Sequence, residues 1–82
     1  MAEQRLAVVT GAARGIGRAI VLELLKQGRK VAGLDLNAEQ LKELEKAVQE
    51  AGFSVITKVV DITKTDVLTK ILEELAEEHG GI

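Results

Sequence analysis

Several residue types are missing from this chain of 82 residues, and each absence excludes a class of protein. There is no cysteine, which excludes disulfide bonds and thiolate metal sites. There is one histidine, and no cluster of carboxylates accompanies it, so we expect no metal site. Tryptophan, proline and tyrosine are also absent. The absence of tyrosine excludes any mechanism that uses a tyrosine as the acid or base.

Strong charge and long apolar stretches are missing too. The net charge is −2, and we expect no nucleic-acid partner because phosphate backbones attract basic proteins. No apolar run approaches the roughly 20 residues of a membrane helix, and the N-terminus lacks the apolar segment typical of a signal peptide. We therefore expect no membrane partner and a cytoplasmic location. The 46% of hydrophobic and 29% of charged residues are typical of a globular domain.

Strand and helix periodicities alternate along the chain and predict the order β-α-β-α-β-α. The predicted strands cover residues 5–10, 30–36 and 53–60. The first predicted helix covers residues 14–27, with an apolar stripe of Ile16, Ala19, Ile20 and Leu24. Capping signatures open the other two helices. Asn37 is the predicted N-cap of the second helix, with Gln40 returning a bond to its N–H, and Thr63 with Asp66 forms the signature of the third.

This alternation predicts an α/β fold with a parallel sheet covered by helices. Right-handed crossovers would give three parallel strands in the order 3-2-1. The first two helices would lie on one face of the sheet and the third on the other face.

The first predicted strand ends in a glycine-rich turn, Thr10-Gly-Ala-Ala-Arg-Gly-Ile-Gly17, which leads directly into a helix. Glycines let backbone N–H groups approach a phosphate at the positive end of a helix dipole, and Arg14 adds positive charge there. The spacing is neither that of the Gly-x-Gly-x-x-Gly fingerprint nor that of a P-loop, so we do not expect an NTPase. A purely structural glycine turn is the alternative.

Two acidic residues lie at the C-terminal ends of the next two predicted strands. Asp35 comes 18 positions after Gly17, near the distance expected for an acid that binds a ribose and disfavours a 2′-phosphate. Asp61 and Ile62 follow the third strand, where they could bind an adenine ring. The alternatives are a solvated strand-end residue for Asp35 and a helix cap for Asp61.

The Thr10–Gly17 motif, Asp35 and the Asp61-Ile-Thr segment together resemble the N-terminal part of the short-chain dehydrogenase/reductase family. The resemblance covers essentially the whole chain and implies half of a Rossmann fold that binds NAD through its adenosine end, with NADP disfavoured by Asp35. It implies phosphate contacts at the turn, ribose contacts at Asp35 and adenine contacts at Asp61 and Ile62. The predicted cofactor-binding residues are Gly11, Arg14, Gly15, Ile16, Gly17, Asp35, Leu36, Asp61 and Ile62.

The catalytic part of that family has no counterpart in this sequence. Family members continue with a fourth strand, an Asn-Asn-Ala-Gly segment, and a serine with a Tyr-x-x-x-Lys pair. This chain has no tyrosine, and its single serine, Ser54, lies in the third predicted strand. We therefore expect residues 1–82 to form one domain, the first half of a dinucleotide-binding domain, excised or engineered, that binds NAD weakly and is not an enzyme by itself.

Without a fourth strand, the first strand would have an unpaired edge, which is a template for association. We expect a homodimer through this edge, by antiparallel pairing of two first strands or by swapping of the last helix. The alternative function is that of a structural or fold-evolution module that dimerises without binding a cofactor. A dehydrogenase completed by a separate partner chain is a further possibility that no feature of the sequence favours.

Overall fold

The computed structural model describes residues 5–82, in which strands and helices alternate as predicted. The strands are β1 (Ala7–Thr10), β2 (Val31–Asp35) and β3 (Ile56–Val59). The helices are α1 (Gly15–Lys26), α2 (Ala38–Glu50) and α3 (Thr65–His79). The order β-α-β-α-β-α is confirmed. None of the helices in this described range is long and apolar enough to cross a membrane.

The three strands form one parallel sheet with β2 in the middle, which confirms the predicted order. Val9 of β1 lies beside Gly33 of β2, and Gly33 lies beside Thr57 of β3. Because the strands are parallel, their carboxyl ends meet at one edge of the sheet. Residues that follow the strands are therefore brought together there.

All three strands are shorter than the sequence pattern predicts, and β3 differs most. Residues 53–60 were expected to be extended, but only Ile56–Val59 pair with β2. A segment rich in β-branched residues favours extended backbone, whereas a strand also needs a neighbouring strand to pair with. The pairing runs from Ala32 to Asp35 of β2, and Val60 N–H still donates to the carbonyl oxygen of Asp35, the last residue of that strand.

The sheet is covered on both faces, as expected. One face carries α1 and α2 over a cluster of buried residues, namely Val9, Ala12, Ala13, Val21, Leu25, Val31, Leu41, Leu44 and Val48. The other face carries α3 over a second, smaller cluster of Leu6, Ala32, Leu34, Val60 and Leu75. The apolar side chains of β2 point alternately into both clusters, which explains why its first four residues are all buried.

The predicted apolar stripe of α1 was wrong for Ile16, Ala19 and Ile20, which are exposed, whereas Leu24 is partly buried and packs against the first cluster as expected. The helix buries Val21 and Leu25, whereas Ile16 is 81% exposed and Ile20 is 45% exposed. Gly17, four positions before Val21, explains the orientation, since a Cβ on it would lie 2.0 Å from the carbonyl oxygen of Gly11. The face on which α1 approaches the sheet is the face that carries this glycine.

The helix caps agree with the sequence only in part. Asn37 caps α2 as predicted, with its side-chain oxygen accepting the N–H of Gln40. The return bond from Gln40 was wrong, because the N–H of Asn37 donates to Asp35 Oδ1 instead.

The capping signature predicted for α3 was also wrong. The residue at its N-cap is Lys64, which makes no side-chain cap. The hydroxyl of Thr63, the expected cap, donates to Asp61 Oδ1. The Thr63 hydroxyl that was expected to cap α3 is therefore bonded within the turn that precedes the helix.

Candidate functional site

A cleft of about 330 Å³ lies at the carboxyl edge of the sheet, between the residues that follow the three strands. It is lined by Gly11, Arg14, Asp35, Leu36, Val60, Asp61 and Ile62. All of these except Val60 were predicted site residues. The other three predicted residues, Gly15, Ile16 and Gly17, do not line the cleft and form the first turn of α1.

The glycine-rich turn leaves β1 sharply and packs tightly against the start of α1. Gly11 has a φ of +63°, a left-handed conformation that glycine adopts without strain. Gly17 packs directly on the backbone of Gly11, with no room for a side chain between them. The N–H of Ala12 donates to the carbonyl oxygen of Leu34 at 3.1 Å, which joins the turn to the end of β2.

Helix α1 begins where the turn ends. Arg14 is its N-cap, with extended backbone and an exposed side chain. The first helical bond there runs from Arg18 N–H to the carbonyl oxygen of Arg14. The N–H groups of the first three helical residues precede this bond and carry the positive end of the helix dipole. The turn therefore offers donors and positive charge to an anion.

Asp35, the last residue of β2, accepts two backbone hydrogen bonds. Its Oδ2 accepts the N–H of Ala13 at 3.1 Å, and its Oδ1 accepts the N–H of Asn37 at 3.0 Å. Burial raises the pKa of this carboxyl, but backbone N–H groups and the nearby charge of Arg14 outweigh it, so the pKa lies below its ordinary value. Asp35 is therefore a carboxylate at neutral pH, half-buried at the wall of the cleft.

Two apolar side chains, Leu36 and Ile62, stand exposed at the cleft. Leu36 is 67% exposed and Ile62 is 49% exposed. Each follows directly on an acidic residue at the end of its strand segment. Exposed aliphatic groups around a cleft are suited to contact a flat, largely apolar ring.

Asp61 organises the turn that precedes α3. Its Oδ1 accepts the hydroxyl of Thr63 at 2.6 Å and the N–H of Thr63 at 2.9 Å. These bonds, the hydroxyl one foremost, hold the pKa of Asp61 below its ordinary value. Asp61 is therefore charged at neutral pH and lines the same cleft as Asp35.

Sequence reasoning missed two contacts that build this site. The bond of Ala13 to Asp35 joins residues 22 positions apart, and no local pattern signals it. The close approach of Ala12 to Gly33 was missed as well, since a Cβ on Gly33 would lie 2.8 Å from the Cβ of Ala12. The small size of Ala12 and Gly33 is the sequence signal that could have indicated this close approach. Within residues 5–82 no group of three possible metal ligands is found.

A profile of the short chain dehydrogenase family matches residues 5–82, the whole described range. The chain belongs to the short-chain dehydrogenase family. This confirms the resemblance carried by the Thr10–Gly17 motif and the two strand-end acids.

Curated members of the short-chain dehydrogenase family match nearly all of the chain. A short-chain dehydrogenase/reductase of Hericium erinaceus is 36% identical over 86 aligned positions, which cover 100% of this chain and 34% of that protein. A tropinone reductase homologue of Arabidopsis thaliana is 39% identical over 92% of this chain and 28% of its own length. The chain thus spans about a third of the length of these relatives.

Solved structures of the family share the fold. A metagenomic short-chain oxidoreductase, solved in complex with NADP, superposes with a TM-score of 0.86 and 31% identity over 95% of this chain and 35% of its own. The citronellol catabolism dehydrogenase of Pseudomonas aeruginosa gives a TM-score of 0.90 and 29% identity, over 98% of this chain and 34% of its own. Here too, the chain corresponds to about a third of each enzyme.

Proposed function

We propose that this chain binds the adenosine diphosphate part of a nicotinamide dinucleotide, NAD in preference to NADP, without catalysing a reaction by itself. The observation that carries the proposal is the cleft in which the glycine-rich turn, Asp35, Leu36 and Ile62 come together. Family membership supports a nicotinamide dinucleotide, and a related structure was solved with NADP.

Each part of the ligand has a suitable group in this site. The pyrophosphate would meet the turn, where Gly17 leaves no side chain between the helix and the backbone of Gly11. The ribose hydroxyls would donate to Asp35, and the adenine would lie at Leu36 and Ile62, with Asp61 as an acceptor for its amino group. The predicted roles of Arg14, Gly15 and Ile16 at the phosphates are part of the same proposal.

The preference for NAD rests on charge. Asp35 is ionised, and its carboxylate would repel a 2′-phosphate on the ribose. Arg14 lies near enough to influence Asp35 and would partly offset this repulsion. We expect weak binding, because the nicotinamide end is held in family members by elements beyond the first three strands and helices.

The cofactor itself would supply hydride transfer when bound. The residues of this chain would bind and orient its adenosine end. They include no tyrosine, and the single serine, Ser54, lies just before β3 and away from the cleft. On this basis we propose no catalytic step for the 82 residues alone.

A titration followed by two-dimensional amide NMR tests this function, with ADP, NAD and NADP as ligands. We expect shifts at Gly11–Gly17, Leu36 and Ile62, with weaker binding of NADP. Asp35→Ala should weaken ADP and NAD and remove the disadvantage of NADP. Asp66→Ala is the matched control, since Asp66 is an exposed acid in the first turn of α3 that does not line this cleft.

Two results would contradict the proposal. If millimolar ADP moves no amide resonance in the turn, the chain does not bind the nucleotide. If binding occurs but Asp35→Ala and Asp66→Ala behave alike, the ribose does not lie at Asp35.

The edge of β1 favours a second candidate function, self-association. Within residues 5–82, β1 pairs with β2 on one side only. The N–H of Ala7 points to β2, where it donates to Lys30, so Val8 and Thr10 present their backbone groups to the open edge. The N–H of Leu6, which faces the same edge, donates to the carbonyl oxygen of Gly81.

We propose that a second copy of this chain occupies the open edge. Antiparallel pairing about a two-fold axis would place Val8 opposite Thr10 of the second copy and form about four hydrogen bonds. The sheet would become continuous through both copies. Such a dimer would also crowd the glycine-rich turn, because Gly11 follows Thr10 directly, so dimerisation and nucleotide binding would compete.

Light scattering over a range of concentrations tests the dimer. We expect dimers at tens of micromolar, and a monomer for Val8→Pro, which removes an N–H from the open edge and none from the pairing with β2. Val8→Thr keeps that N–H and the β-branched shape and should remain dimeric. A monomeric wild-type chain would exclude the pairing, and competition by NAD would show that the two functions exclude each other.

A further inference from the structure

Asp35 is bonded to two backbone segments that lie on different sides of it. One oxygen accepts the N–H of Ala13, in the turn between β1 and α1, and the other accepts the N–H of Asn37, at the start of α2. A single side chain thereby joins two strand-to-helix connections that are far apart in the sequence. This position differs from that of Asp61, whose side chain accepts its two hydrogen bonds within residues 5–82 from the neighbouring Thr63.

The bond to Ala13 falls in the middle of the glycine-rich turn. Before it, Ala12 is held by its bond to Leu34, and after it the first helical bond joins Arg18 to Arg14. Gly11 lies before this stretch and has a positive φ, and glycine also adopts other backbone conformations readily. A contact at Ala13 is therefore well placed to select one path of the turn among several.

We propose that Asp35 is a positioning residue for the phosphate-binding turn, in addition to its own contact with the ribose. The inference rests on the proposed function, since it concerns the same site. A carboxylate has about four lone-pair positions, so bonds to Ala13 and Asn37 leave capacity for ribose hydroxyls. The N–H of Ala13 is already used by Asp35, so the phosphate would be met by the N–H groups at the start of α1.

Inorganic pyrophosphate distinguishes this role from simple charge, because it carries phosphates and no ribose. A carboxylate that acted only through its charge would repel pyrophosphate, and Asp35→Asn would then strengthen its binding. A carboxylate that positions the turn has the opposite effect. Asp35→Asn would weaken pyrophosphate binding even though it removes a negative charge.

The experiment uses the full chain and the variants Asp35→Asn and Asp66→Asn, which lose the same charge. We expect Asp35→Asn to weaken pyrophosphate at least fivefold and Asp66→Asn to leave it unchanged, as measured by amide NMR titration. In the free protein, we expect amide hydrogen exchange of Ala13 to be at least tenfold faster in Asp35→Asn, with Val21 in α1 as the internal reference. In the wild type, the Ala13 amide shift should follow the titration of the Asp35 carboxyl.

The outcomes separate the two proposals. If Asp35→Asn weakens ADP but leaves pyrophosphate unchanged or tighter, Asp35 acts through the ribose only, and the positioning role is wrong while the proposed function stands. If the wild type binds neither ligand, the proposed function is wrong, and unchanged exchange of Ala13 would then also overturn the positioning role. If Asp35→Asn does not fold, a wild-type Ala13 shift that ignores the carboxyl titration overturns it.

Discussion

The contact between Gly17 and Gly11 gives a quantitative test of how the turn is built. In Gly17→Ala, the new Cβ would lie 2.0 Å from the carbonyl oxygen and 2.7 Å from the carbonyl carbon of Gly11. Both are backbone atoms, so no flexible side chain can move aside. Separating the groups to an ordinary contact requires a backbone shift of roughly 1 Å or more, in an interior that is already close-packed.

The magnitude follows from two opposed effects. Overpacking of this kind costs about 3 kcal/mol at the upper end of the usual range. Replacing glycine by alanine within a helix returns about 1 kcal/mol of intrinsic helix propensity. We therefore expect the free energy of unfolding to fall by about 2 kcal/mol. This is a large fraction of the total for a domain of this size, which is about 4–12 kcal/mol.

Urea unfolding followed by far-UV circular dichroism measures this change, since the chain has no tryptophan to report by fluorescence. Gly52→Ala is the matched control, because Gly52 has a φ of +88° and a Cβ added to it would meet no atom within 4 Å. It should cost about 1–2 kcal/mol through backbone strain alone. The two variants differ in where the structure changes and in ligand binding.

In amide NMR spectra, Gly17→Ala should shift resonances of the turn and weaken ADP, whereas Gly52→Ala should do neither. A Gly17→Ala variant as stable as the wild type, with unchanged turn resonances, would refute the close packing of α1 on Gly11.

Three further predictions concern contacts around the site, all measured by urea unfolding. Asn37→Ala should lower the free energy of unfolding by about 1 kcal/mol through loss of the α2 cap, whereas Lys64→Ala, at an N-cap without a side-chain bond, should change it little. Gly33→Ala should destabilise by about 1–3 kcal/mol through its clash with Ala12, and Ala12→Gly should reduce that cost in the double variant. Burial raises the pKa of Asp35, but hydrogen bonds from backbone N–H groups lower it by more, so the folded pKa lies below the unfolded value of about 3.9. The contribution of Asp35 to stability is therefore present above the unfolded pKa and is lost as the pH falls through the folded pKa. Asp35→Asn should therefore reduce the loss of stability between neutral and acid pH, and equal losses in both proteins would contradict this role of Asp35. An additive Gly33→Ala, Ala12→Gly double variant would contradict the clash between the two residues. A Lys64→Ala cost equal to that of Asn37→Ala would contradict the cap at Asn37.

The sequence was most informative where a signal is local. The order of strands and helices, the parallel sheet and the family could be predicted, because hydrophobic period, turn residues and the Thr10–Gly17 motif are all read within short windows. The same reasoning predicted a candidate site at the carboxyl edge of the sheet. Most of the predicted site residues line one cleft there.

The sequence was less informative where a contact joins distant parts of the chain. The ends of β3 are the ends of its pairing with β2, which the composition of residues 53–60 does not show. The buried face of α1 depends on the contact of Gly17 with Gly11, which helical periodicity does not show, so three of the four residues predicted for the apolar stripe were wrong. The predicted bond of the Asn37 N–H to Gln40 was wrong because this N–H donates to the carboxylate of Asp35 instead.

By itself, the sequence determined the α/β architecture, the glycine-rich turn and the acids that follow the strands, because these depend on residue type and spacing. Only the tertiary structure decided how the parts are joined. The bond between Ala13 and Asp35 forms because parallel pairing of β1 with β2 brings the two strand ends side by side. It makes the acid expected for the ribose a part of the turn expected for the phosphates.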